Sequence, residues 1–205
     1  MGLRERKKEK TRLALLDAAL DLFLEQGYET TTVEQIAGVV DVSSRTFFRY
    51  FSSKEHLALW WHDHGEEIMQ DCLRDRPLDE PPFTSLLHCV RAVIADMRNS
   101  TPEDTDRFLK VRKLYESNPT LVGRAVARGS LTELRLVEEV ARRTGRDLAT
   151  DQLPALMVGF AMAAMRVGFE CPGQEITDLA ELTGRMEATL VVVEASFRPG
   201  WDLAA

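Results

Sequence analysis

Two arginines, Arg45 and Arg49, stand four residues apart in the segment Val42-Ser43-Ser44-Arg45-Thr46-Phe47-Phe48-Arg49-Tyr50-Phe51. On a helix they share one face, and like charges at that spacing repel unless something anionic lies across them. Phe47 and Phe51 fall on the opposite face. An aromatic back with a guanidinium front suits a short helix over 44–51 laid into the major groove of DNA, where arginine meets guanine O6 and N7 with two parallel bonds. The hydroxyls of Thr32, Ser43, Thr46 and Tyr50 suit phosphate oxygens, and Ser44 lies in the same segment. Contacts to phosphate set register rather than base preference. Lys54 opens the next helix, where exposed amides and the helix dipole already favour an anion, so it joins the candidate DNA-contacting set.

Other chemistries find less support. His62 and Glu66 share a helix face at a spacing that can hold zinc, but a site needs three or four ligands and no partner cluster stands out. No metal and no cofactor are expected. There is no Gly-x-Ser-x-Gly, no phosphate loop and no repeated carboxylate-histidine pairing, so nothing argues for an enzyme. Cys72, Cys89 and Cys171 are scattered and odd in number, which fits buried thiols in a reducing compartment rather than a disulfide framework.

The elements that must position the arginines are all helical. Leu13, Leu16, Leu20, Phe23 and Leu24 recur with helical spacing, and Gly27 closes that element. Either Thr31 with Glu34 or Thr32 with Gln35 forms a capping box, and Val33, Ile36, Ala37 and Val40 follow on one face. Ser43 caps the helix that carries the arginines, and Val42 before it can staple onto Phe47. Ser52 with Glu55 reads as a third capping box. Beyond Lys54 the helices lengthen, with breaks at Pro77, Pro81 and Pro82, at Pro102, at Pro119, at Gly145 and at a Cys171-Pro172-Gly173 turn. The expectation is an all-α chain of about nine helices, three short and about six longer.

The 205 residues carry a net charge of −7 that is unevenly spread. Residues 1–60 hold nine Lys/Arg against nine Asp/Glu, and the remaining 17 against 24 account for the whole excess. Within residues 1–12, Arg4, Arg6, Lys7, Lys8, Lys10 and Arg12 oppose only Glu5 and Glu9, a basic arm on a neutral domain joined to an acidic one. No apolar run reaches the ~18 residues needed to span a bilayer. Asp17 and Asp21 interrupt the stretch after the basic arm, so it lacks the pattern of a signal peptide, and a cytoplasmic location is expected.

Thr32-Val33-x-x-Ile36-Ala37, Val42-Ser43-x-x-Thr46-x-x-x-Tyr50-Phe51 and Ser53-Lys54-Glu55 resemble the DNA-binding signature of the tetracycline-repressor (TetR) family. Ala18-Ala19, Leu22-Phe23 and Gly27-Tyr28 are similar to that family's first helix, so the resemblance covers about residues 12–60. It implies a homodimer that binds a palindromic operator on double-stranded DNA, represses transcription, and is released by a small-molecule effector held in the larger domain. The implied layout is a basic arm (1–10), a helix-turn-helix domain (11–53, motif about 32–51) and an effector-binding and dimerisation domain (54–199). Four positions depart from the family pattern. Phe48 stands where tyrosine is common, Arg45 where a small residue is frequent, and Val40-Asp41 where the turn usually has Ala-Gly.

The larger domain says less. Residues 153–169 are apolar nearly all round, so a helix there must be covered on every side. Gly159, Ala163, Ala164 and Gly168 would let another helix approach closely. Leu179, Leu182, Met186, Leu190, Val193 and Phe197 form a bundle seam at three- and four-residue steps. With the family in view, Gly159, Ala163, Leu182, Met186, Leu190 and Val193 are the expected dimer interface. Met97, Phe108, Arg112, Tyr115, Met157 and Phe160, with Trp60, Trp61 and His64, could line an apolar cavity with a few polar anchors. An ordinary core with Arg112 ion-paired at its edge fits the same residues. Two alternatives stay open: a ligand-independent regulator or activator, and a helical carrier or enzyme with a vestigial helix-turn-helix.

Overall fold

Among the described residues, ten α-helices make up most of the structure: α1 Leu3–Gln26, α2 Val33–Val39, α3 Ser44–Phe48, α4 Lys54–Ala58, α5 Trp60–Asp75, α6 Pro82–Arg98, α7 Pro102–Ser117, α8 Pro119–Thr144, α9 Leu153–Glu170 and α10 Leu179–Ser196, followed by a 3-10 turn at Trp201–Leu203. This computed structural model describes residues 2–170, 176 and 178–203. The expected Cys171-Pro172-Gly173 turn lies outside the described residues. No helix among the described residues is long and apolar enough to cross a membrane.

The tenth helix arises at Leu59, which interrupts the single helix expected from Lys54 onward. The His62 amide donates to the Leu59 carbonyl at 2.9 Å, three residues back. The Ala58 carbonyl is taken instead by the Tyr115 hydroxyl, which donates to it at 3.1 Å. A side chain inserted into the backbone ladder is a recognised cause of helix breaks. No proline or glycine announces it.

The chain divides into two compact units, residues 1–63 with 102–126, and residues 64–101 with 127–205. In the first unit, Leu15, Leu16, Ala19, Leu20 and Phe23 of α1 meet Ile36 and Ala37 of α2, Phe47, Phe51, and Leu57 of α4 in one core. Val111 and Leu114 of α7 and Leu121 of α8 belong to the same core. Ion pairs tie α7 to α1: Arg107 holds Asp17 at 2.5 and 2.9 Å and Asp104 at 2.7 Å, and Lys110 holds Asp21 at 2.7 Å. The basic segment is the first turns of α1, with Arg6, Lys7, Lys8 and Lys10 exposed.

In the second unit, α6, α9 and α10 pack on one another around Leu86, Val90, Ile94, Met157, Val158, Ala161, Leu182, Met186 and Leu190. A Cβ on Gly168 would lie 2.8 Å from the Met186 backbone, so a glycine is what lets α9 and α10 close at that point. Arg91 of α6 bridges to Glu187 at 2.8 Å and to both Glu194 oxygens at 2.7 and 2.8 Å on α10. The N-terminus of α6 has Pro81 at its cap position and no side-chain bond from it. Asp202 supplies the missing acceptor, taking the Phe83 amide at 3.1 Å from 119 residues away. Around it Phe83, Phe160, Phe197 and Trp201 cluster, the last two stacked at 4.4 Å.

Candidate nucleic-acid interface

Capping fixes the two helices of the helix-turn-helix. Thr32 and Gln35 form the full capping box of α2: the Gln35 amide donates to Thr32 Oγ1 at 3.2 Å, and Gln35 Oε1 accepts the Thr32 amide at 2.8 Å. Ser43 Oγ accepts the Thr46 amide at 3.2 Å and lies 3.0 Å from Thr46 Oγ1. The expected third box is one residue out of register. Ser53, not Ser52, caps α4 by accepting the His56 amide at 2.9 Å, and Glu55 pairs with Arg124. Ser52 bonds to the His56 ring instead, through its amide and hydroxyl, at 3.1 Å each.

Between α2 and α3 the turn is held by the Val42 amide, which donates to the Ala37 carbonyl at 3.0 Å. Asp41 takes φ 55°, the left-handed conformation that favours glycine. The exchange of glycine for aspartate therefore leaves the turn's backbone in the glycine-like state, which aspartate tolerates better than most residues.

The recognition segment has the expected two-sided character. Regular helix ends at Phe48, and the Arg49, Tyr50 and Phe51 amides continue to donate to Thr46 and Phe47 carbonyls. Phe47 and Phe51 are fully buried, with ring centroids 5.7 Å apart, while Arg45 and Arg49 are exposed. Arg49 donates to the Tyr50 hydroxyl at 3.2 Å and lies 5.0 Å over the Tyr50 ring. Ser44, Thr46 and Tyr50 are half-buried at the margins of this face, and Thr32 is exposed. Phe48 is 54% exposed, its ring edge-on to Phe47.

Lys54 does not point outward. Its ammonium donates to the carbonyls of Tyr28 at 2.6 Å, Thr31 at 2.9 Å and Glu29 at 3.3 Å, and sits 4.3 Å from the Tyr28 ring. Burial pushes its pKa below the ordinary lysine value.

The six candidate effector contacts are spread over both units. In the first, Phe108 packs edge-on to Trp61 at 5.4 Å and Arg112 pairs with Glu116 at 3.1 Å. Tyr115 spends its proton on Ala58, and burial, then the Asp63 charge, push its pKa far up. In the second unit, Met97 and Met157 are buried core, and Phe160 is 39% exposed against Phe197 and Trp201. A crevice in that unit, of about 20 Å³ and bordered by Leu73, Glu80, Ser85 and Arg143 among others, contains none of the six.

Half of the expected dimer seam is buried within the single chain. Leu182, Met186 and Leu190 are at most 2% exposed and are spent inside the protomer, while Val193, Gly159 and Ala163 are half-buried. The apolar residues that α10 leaves exposed are Ala180, Ala188, Val191, Val192 and Ala195, and those of α9 are Ala155, Leu156, Phe160 and Val167. The larger side chains at three- and four-residue steps mark the stripe that packs inside the protomer. Gly184, Ala188, Val191 and Ala195 form a second, smaller one at the same spacing.

Two family models match: the bacterial regulatory proteins of the tetR family over residues 15–59, and the MftR C-terminal domain over residues 84–196. The chain is 38% identical over 203 residues to the HTH-type transcriptional regulator TcmR of Streptomyces glaucescens, covering 98% of this chain and 90% of that protein. It is 26% identical over 163 residues to the regulator MftR of Mycobacterium tuberculosis, covering 78% and 80%. A TetR-family regulator from Mesorhizobium loti, solved by crystallography, superposes with a TM-score of 0.50 at 21% identity, covering 92% of this chain and 97% of that one. With a helix-turn-helix built residue by residue as above, these likenesses establish that the chain is a DNA-binding transcriptional regulator and belongs to the TetR family.

Proposed function

We propose that this regulator is a repressor that grips a palindromic operator as a homodimer and lets go when a small-molecule effector binds. The observation that carries the reading is the exposed pair Arg45 and Arg49, set on a segment whose aromatic side is fully buried. Residues 11–53 read DNA, with Thr32, Ser43, Ser44, Thr46 and Tyr50 on phosphates and the two arginines on base edges. The exposed basic turns before them, residues 1–10, add to the positive field, and residues 54–199 serve the effector and the second subunit. It works in the cytoplasm, where its operator lies.

Dimerisation has its own support. The exposed stripes of α9 and α10 are apolar and small-residue-rich, and a second copy is the simplest cover for such faces. Two recognition helices in successive major grooves need half-sites about 34–36 Å apart or slightly more. The effector acts by binding the off-DNA arrangement more tightly, since only a differential affinity shifts such an equilibrium.

The test is a titration of the full-length protein against duplexes selected from a random pool. Arg49→Ala is expected to lose about 1–3 kcal/mol and relax preference at one base position. An unselective wild-type protein, or an Arg49→Ala variant with unchanged sequence preference, sinks the assignment of the reading face.

A further inference from the structure

We propose that Lys54 is a positioning residue that staples the two ends of the helix-turn-helix together, and that it makes no phosphate contact. The inference rests on residues 44–51 being the segment that reads DNA.

The geometry is specific. Tyr28, Glu29 and Thr31 lie in the link between α1 and α2, immediately before Thr32 caps α2. Lys54 is the first residue of α4, just after the recognition segment ends. Its three N–H donors meet three carbonyls, at 2.6, 2.9 and 3.3 Å, which matches the full donor capacity of an ammonium. The contact therefore joins the chain where it goes into the motif to the chain where it comes out. Everything between, including both arginines, is a loop of about twenty residues closed at its base. The Tyr28 ring, buried beside Phe23 at 5.1 Å, forms one wall of the ammonium's seat. A cation turned outward to phosphate would vacate that seat and leave three carbonyls without this donor, and buried or half-buried acceptors are costly to strand.

Two chemical consequences separate a staple from a phosphate contact. A phosphate contact releases counterions, so its loss flattens the dependence of log K on log salt by about one per contact. Loss of a staple leaves that slope alone and degrades the alignment on which specific binding depends. Arginine also replaces lysine well at a phosphate, but its planar fork cannot converge on three carbonyls arranged around one nitrogen.

The experiment uses the full-length protein and its selected operator. Lys54→Met, which keeps the aliphatic stem, is expected to weaken specific binding by roughly tenfold while nonspecific binding and the salt slope stay at wild-type values. Lys54→Arg is expected to fail to restore affinity. A slope reduced by about one per subunit, with recovery in Lys54→Arg, overturns the proposal. A second readout needs no variant and no operator: mild amine acylation of the DNA-free wild-type protein, followed by peptide mass spectrometry. Lys54 is expected to react at least tenfold more slowly than Lys7, Lys8 and Lys10. Equal reactivity overturns the staple even if the protein proves to read DNA as proposed.

Discussion

Arg45 and Arg49 share a face but not a state. Arg49 is held by the Tyr50 hydroxyl and ring, whereas Arg45 makes no hydrogen bond or ion pair among the described residues. A guanidinium already oriented loses less rotamer entropy on meeting a base, so of the two proposed readers Arg49 is the better prepared. Asp41 shows the reverse economy, since its left-handed backbone is one that L side chains resist. Asp41→Gly is expected to raise stability by about 1 kcal/mol, seen as a higher melting temperature by circular dichroism, with operator affinity unchanged. Lower stability in that variant means that the aspartate side chain contributes something the turn geometry does not reveal.

The helices themselves were largely legible, because their ends are written in local chemistry. Thr32, Ser43, Pro82, Pro102 and Pro119 all sit where a cap or a first-turn proline belongs, and each marks a helix start within one residue. The exposure of Arg45 and Arg49 was legible for the same reason: it follows from the spacing of Phe47 and Phe51. What escaped is every feature that depends on a distant residue. The break at Leu59 is made by Tyr115, the cap of α6 by Asp202, and the seat of Lys54 by Tyr28 to Thr31. No local pattern encodes a partner dozens of residues away. The small residues of α9 were noticed, but of its two glycines Gly168 is the one pressed against a backbone, whereas a Cβ on Gly159 meets nothing within 4 Å. Gly168→Ala is accordingly expected to cost about 1–3 kcal/mol in denaturant titration, and Gly159→Ala next to nothing. Equal costs at the two sites contradict the close approach of α9 to Met186.

At the scale of the molecule, the surprise is that residues 102–126 belong with the DNA-binding helices rather than with the rest of the larger domain. The apolar face of α7 is evident in the sequence, but a face does not say which neighbour it will cover. Val111 and Leu114 give it to α1, and the Arg107–Asp17 and Lys110–Asp21 pairs lock the choice. The second unit carries the surface proposed for assembly. Val191 is 54% exposed and takes no part in the protomer's core, so Val191→Glu is expected to leave the fold intact and convert dimer to monomer. Light scattering during gel filtration reads the mass directly, and a variant that remains dimeric places the contact elsewhere. Operator affinity should fall with the dimer, because two half-sites held by one body bind far more tightly than either alone.

The interruption at Leu59 has an implication for genetics. The His62 amide is bonded to the Leu59 carbonyl, and a single phenol occupies the Ala58 carbonyl, which an unbroken helix would offer to that amide. Take away that oxygen with Tyr115→Phe, and the Ala58 carbonyl becomes free to reclaim the amide and fuse two rods into one. A selection for strains with altered promoter control should therefore return position 115, a half-buried hydroxyl outside the reading segment that no base or phosphate need ever touch.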